Sequence, residues 1–141
     1  MKRVILIAAS ALVMAAVPVL AHHSFAAEYD GTKPVTIKGT VTQVEWINPH
    51  SWVHVAVTDE NGKVTQWSCE TAPPNALYRQ GWRRDTLKQG DQVTIEGYLA
   101  KDGSHTMSAR SVIGPDGRKF FAGTATDGGP QSQKPDAKDS K

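Results

Sequence analysis

The chain has 141 residues, 39% of them hydrophobic and 21% charged, the composition of one ordinary globular domain. The formal charge of +2 is owed to Lys2 and Arg3; beyond them, 14 basic residues face 14 acidic ones. A neutral body has no global field to draw it onto nucleic acid or an anionic membrane, and the single cysteine, Cys69, excludes an internal disulfide.

Residues 1–21 read as an export signal. Lys2 and Arg3 form the positive region, Val4 to Leu20 the apolar stretch, and Val19-Leu20-Ala21 a small-residue cleavage site. The alternative is an uncleaved anchor. The apolar run sits at the lower limit for a span of roughly 17–25 residues, and Pro18 favours cleavage. A second cut after Ala26 is open, with Phe25 inside its site counting against it. No cysteine follows the cut, so no lipid anchor is expected. The expected location is periplasmic or secreted, with no transmembrane anchor after cleavage.

A cut after Ala21 leaves His22-His23-Ser24-Phe25 at the mature start. A terminal histidine presents its amine and its own Nδ1 to one metal ion. A further imidazole completes the near-planar nitrogen set that Cu(II) prefers. The amine must lose its proton first, so such binding weakens in acid. The plainer reading is that His22 and His23 merely follow a peptidase site.

Residues 22–33 read as an N-terminal arm, pinned by Phe25 and Tyr29, with a turn at Asp30-Gly31. The body spans 34–121. Its first strand alternates Val35, Ile37, Gly39 and Val41, then slips in phase to Val44 and Trp46. That slip predicts a bulge near Thr42-Gln43. The second strand places Val53, Val55 and Val57 on one face and His50, Trp52 and His54 on the other. An Asn61-Gly62 hairpin turn leads to a third strand over Val64 to Glu70. Pro73-Pro74-Asn75 opens a short helical connection, followed by a turn from Trp82 to Lys88. Two more strands are predicted over Gln92 to Leu99 and His105 to Ile113, with Phe120-Phe121 closing the core. The tail, 122–141, has the composition of a disordered segment. Three strands, a helical connection and two strands predict an all-β domain built as a five-stranded OB-like barrel. An open five-stranded sandwich is the alternative.

The segments AHHSFAAEYD, GTVTQVEWINPHSW, WSCE, YRQGWRRDTLKQGD and VTIEGYLAKDGSHTM resemble a family of small exported bacterial proteins classed only as a domain of unknown function. The likeness covers nearly all of the chain between the export signal and the tail. It implies an exported β-rich domain and supplies no activity.

Function is therefore read from residues. His50, Trp52 and His54 share an outward face with Gln66, Ser68 and Glu70, and Glu45 stands nearby. One reading makes this a Cu(II) site built on His22 and His50, then His23 and His54, with Glu70 orienting an imidazole. Cys69, His105 and Met107 offer softer donors for Cu(I) and come last, the plainer reading being that Cys69 and Met107 are core residues. The plainer reading is an exposed polar face on which Trp52 is covered by the arm. A second reading is a binding module. Trp82, Arg83 and Arg84, with Tyr78, Arg79 and Lys88, form a basic-aromatic cluster suited to an anionic glycan, a headgroup or an envelope protein. Its plainer reading is a solvated face with Trp82 plugging the barrel end. No nucleic-acid partner is expected. An enzyme is the weakest class, since no nucleophile triad, phosphate loop or paired zinc motif stands in the chain.

Overall fold

The computed structural model describes residues 25–124. The expected export signal, His22, His23 and the tail from residue 125 lie outside them.

Among the described residues the fold comprises six strands, one short connecting helix and a helical turn ahead of the first strand. Strand β1 (Tyr29–Glu45) is 17 residues long and uses both of its edges. Residues 34–40 pair antiparallel with β4 (Gln92–Ala100), and residues 40–45 pair antiparallel with β2 (Trp52–Thr58). The register shifts between Val41 and Gln43, where the sequence alternation slips. One extra residue there turns the strand and keeps apolar side chains inward on both sides of the bend. Val41 is buried before the shift, and Val44 packs on the core after it.

Strand β2 forms a hairpin with β3 (Val64–Glu70). Its turn contains Gly62 at φ 79°, a left-handed conformation that glycine adopts without a Cβ penalty. The chain then crosses through helix α1 (Pro74–Arg79). Pro74 occupies the first turn, where a missing N–H costs nothing, and Leu77 is buried. Strand β5 (Thr106–Ile113) pairs antiparallel with β4 and parallel with β3, through Ser68–Thr106, Cys69–Met107 and Glu70–Ser108. That parallel contact closes β1, β2, β3, β5 and β4 into a ring. The domain is all-β, as the strand pattern predicts.

Three details differ from expectation. A sixth strand, β6 (Lys119–Phe121), lies antiparallel along β5, so Phe120 and Phe121 add a strand rather than only a plug. The first strand begins at Tyr29, inside the expected arm, because Tyr29 pairs with Ala100 before the chain loops out and rejoins β4 at Pro34. Ala122 and Gly123 belong to the body rather than a disordered tail. The Ala122 backbone donates to Arg110 O and accepts from Ala72 N, at 2.9 and 2.7 Å, and Gln80 Nε2 donates to Gly123 O. No helix among the described residues is long and apolar enough to cross a membrane.

The core fills the ring with Ile37, Val53, Val55, Ile95, Met107 and Val112, all buried. Each such side chain contributes about 1.5–3 kcal/mol. Trp82 closes one end at 1% exposure. Its Nε1 donates to Phe121 O at 2.8 Å, and its ring lies 5.4 Å from that of Phe120.

Close strand approach sets one strict requirement. A Cβ at Gly97 would penetrate the Ser108 carbonyl oxygen and come within 2.8 Å of Met107 Cε. Neither backbone can retreat without breaking the β4–β5 ladder. Gly97→Ala is therefore expected to cost about 2 kcal/mol or more in urea unfolding. A cost below about 0.5 kcal/mol, the range of ordinary surface changes, would show that the ring tolerates wider strand spacing there.

Candidate functional site

The outward face of β1, β2 and β3 carries a polar network. The strand pairing builds it: Glu45 stands opposite Trp52, Trp52 opposite Glu70, and His54 opposite Ser68. Alternation points Val53 and Val55 into the core, so Trp52 and His54 turn outward.

Glu70 is the centre of this face. One carboxylate oxygen accepts from the Tyr29 hydroxyl, and the other meets His50 Nδ1. The Glu70 side chain is only 11% exposed, so both contacts lie in a poorly solvated site. Tyr29 is itself buried, and burial, with the hydrogen bond to Glu70 next in weight, holds its phenol well above its ordinary value of 10.0. His50 lies in the connection before β2 rather than within the strand, so it reaches Glu70 from the side. A proton held on Nδ1 leaves Nε2 as the lone-pair nitrogen of that ring.

His54 is engaged at both nitrogens. Nδ1 lies 3.1 Å from Ser68 Oγ, and Nε2 lies 3.4 Å from Glu45 Oε2. Its ring stacks on Trp52 at a centroid distance of 6.4 Å with planes 10° apart. Beside Trp52 a cleft of about 530 Å³ opens against Glu28, Tyr29, Lys101 and Thr106.

The first of the described residues belong to this same face. Residues 25–28 form one helical turn. Phe25 packs on Tyr29 at 5.7 Å and edge-on to Tyr98 at 5.9 Å. Lys101 Nζ donates to Ala26 O, and its backbone N–H donates to Glu28 O at 2.9 Å.

Of the expected metal residues, His50 and His54 stand on this face, each against a carboxylate, and Glu70 meets His50 directly. His22 and His23 lie outside the described residues. Among the described residues no three His, Cys, Asp or Glu side chains converge on one metal position. The soft-donor grouping is corrected. Cys69 and Met107 are fully buried neighbours in the parallel β3–β5 contact, and burial pushes the thiol up to about 12. His105 is exposed and packs edge-on against Trp67 at 5.2 Å. The sequence reading missed Tyr29 as a partner of Glu70, because 41 residues separate them.

The expected basic-aromatic cluster is divided by burial. Trp82 is a core residue and gives its indole N–H to the backbone, so it is removed from the ligand-binding set. Arg83 and Arg84 are exposed. Arg83 lies over Tyr78 at 5.7 Å, and Arg84 over Trp46 at 6.0 Å. Trp46 in turn contacts Tyr78 and Trp82, at 5.6 and 6.4 Å. The sequence reading had not included Trp46 at this end. Its position one bulge beyond Val41 was the available signal.

Removing the Tyr29 hydroxyl tests the network. Tyr29→Phe deletes a hydrogen bond to an ionised group, so it is expected to lower stability by about 1.5–3 kcal/mol at neutral pH. The sign with pH follows from the raised phenol. Its contribution is fully present below about 10, the unfolded value, and is lost as pH rises toward the folded value. Urea titrations should therefore show the gap between wild type and Tyr29→Phe narrowing above that pH. A gap independent of pH would show that the phenol proton is not held by the fold.

No curated protein matches this sequence. A family model does match it, over residues 9–109, which span the expected outward face, helix α1 and the ring-closing contact. The chain belongs to this family, the family of unknown function DUF6152.

Proposed function

We propose that this is a small exported binding protein of OB-like design that takes Cu(II) at its processed N terminus. His22 supplies its amine and Nδ1, and His50 supplies Nε2. One observation carries the reading: Phe25 is anchored on Tyr29, whose hydroxyl is bonded to the carboxylate that holds His50. Two residues lie between His22 and Phe25, and the three Cα–Cα steps give a reach of about 10 Å. The segment that follows His22 is thus linked through Tyr29 and Glu70 to the His50 imidazole.

The donor set fits the ion. Amine and imidazole nitrogens suit Cu(II), and the chelate needs no third protein side chain to converge beforehand. Glu70 fixes the His50 tautomer so that Nε2 carries the lone pair. His54 and His23 are secondary donors, since both His54 nitrogens already have partners. Binding requires a neutral terminal amine, so affinity falls as pH drops below about 7.7–8.0.

A second reading is a metal-free module for an anionic glycan or an envelope protein. It is favoured by one observation, the exposure of Arg83 and Arg84 on an aromatic base at the Trp82 end.

The test is a Cu(II) titration of the processed protein, read by electron paramagnetic resonance. The expected result is a one-to-one, nitrogen-rich signal that disappears when one residue is added before His22. His50→Ala should weaken binding more than His54→Ala, and Glu70→Gln should lower affinity by about tenfold. Unchanged affinity on N-terminal extension would retire the copper site.

A further inference from the structure

The molecule carries a second built surface, at the end that Trp82 closes. Residues 78–90 contain four basic side chains, Arg79, Arg83, Arg84 and Lys88, against one acidic residue, Asp85. The described residues as a whole carry eleven of each sign. A neutral protein thus concentrates positive charge in one short connection, and the rest of the described surface is correspondingly negative.

Apolar groups gather at the same end. Three large hydrophobic side chains are exposed among the described residues: Ile47 at 50%, Tyr78 at 41% and Val64 at 55%. Val64 stands at the start of β3. The other two belong to the arginine end. Tyr78 touches Trp46, and Ile47 follows Trp46 in the chain. Trp46 is therefore a shared base under Tyr78 and Arg84, and Ile47 is its exposed neighbour in the chain.

The arginines are held in place before any partner arrives. Arg83 Nη1 donates to Trp82 O at 2.6 Å and to Tyr78 O at 3.3 Å while its guanidinium covers the Tyr78 ring. Arg84 covers Trp46. Such stacking keeps the charge exposed and reduces the side-chain freedom lost on docking.

We propose that this end docks reversibly on a bilayer surface rich in anionic headgroups, with Ile47 and Tyr78 entering the interface and Arg83 and Arg84 meeting the headgroups. The proposal takes up the partner-binding reading and is independent of copper. A bilayer fits better than a glycan or a protein for two reasons. Three clefts among the described residues lie elsewhere: one is lined by Glu96, Tyr98, Arg110 and Lys119, another by Lys38, Thr40 and Gln92, and the third is beside Trp52. A sugar would seek such a concavity, whereas a bilayer needs a protruding apolar tip. The pairing of aromatic rings, an aliphatic tip and basic side chains is also the composition of interfacial anchors. Each basic residue near an anionic surface raises partitioning about fivefold, and salt screens that gain.

The experiment is cosedimentation of the processed protein with phosphatidylglycerol-containing vesicles, phosphatidylcholine vesicles, and, separately, soluble heparin. The expected result is binding to phosphatidylglycerol vesicles that falls with added salt, with little binding to phosphatidylcholine. The Arg83→Glu/Arg84→Glu double variant should reduce partitioning by about tenfold or more. Lys38→Glu/Lys63→Glu, which changes the net charge equally on other parts of the surface, should leave most of it. Ile47→Ser alters an exposed side chain, so it tests apolar insertion even if the arginine variant fails to fold; several-fold weaker binding is expected. An equal loss in the lysine control, or no effect of Ile47→Ser, overturns the proposal. Heparin binding without vesicle binding overturns the bilayer and retains a soluble anionic partner. Binding to neither removes the anionic-glycan and bilayer readings together.

Discussion

One bent strand carries the architecture. β1 must pair with β4 along its first half and with β2 along its second, and a straight strand cannot face both. The extra residue between Val41 and Gln43 supplies the bend. Without it, the alternation that buries Ile37 and Val41 would turn Val44 outward and bring Glu45 onto the core. The parallel β3–β5 contact then closes the ring, and only because β1 has already turned the sheet.

The ring explains why the outward face can hold a polar network. Its inner side is filled by close packing, so the outer polar side chains of β1, β2 and β3 are left to pair with one another. Tyr29, His50 and Glu70 come from three separate stretches of chain, yet Tyr29 and His50 each meet Glu70 at hydrogen-bonding contact. Glu70 is the common acceptor. A carboxylate this poorly exposed would be costly to leave unpaired, and its two partners offset that cost while tying the beginning of β1 to β3.

Much of this fold was legible in the sequence, and for physical reasons. Period-two alternation marked the strands, and the third was bounded correctly at Val64 and Glu70. The phase slip located the bulge because one inserted residue reverses every side chain after it. The β6 strand was harder, since three residues carry no period. Placement of Tyr29 was harder still. Its pairing with Ala100 and its bond to Glu70 both span long sequence separations, and nothing local in EYDG announces either. Trp82 carries two readings in the sequence. Beside Arg83 and Arg84 it reads as part of a ligand surface or as a plug at the barrel end, and its burial and bond to Phe121 O decide for the plug.

The segment Trp46 to His50 unites the two ends of the argument. It leaves β1 at Glu45 and enters β2 at Trp52, and it presents different side chains to different surroundings on the way. Trp46 packs toward Trp82 and carries Arg84. Ile47 projects into solvent. His50 turns to Glu70. The far end of this connection is locked: Ser51 N donates to Ala72 O at 3.3 Å, and Ser51 O accepts from the Thr71 backbone N–H and hydroxyl. Ser51 is buried at 1% exposure, so the anchor is internal. A short connection fixed at both ends cannot shift His50 without also disturbing Trp46. The WINPHS connection therefore joins the arginine end to the imidazole face, with Trp46 packed at one, His50 against Glu70 at the other, and Ser51 anchored internally beyond it.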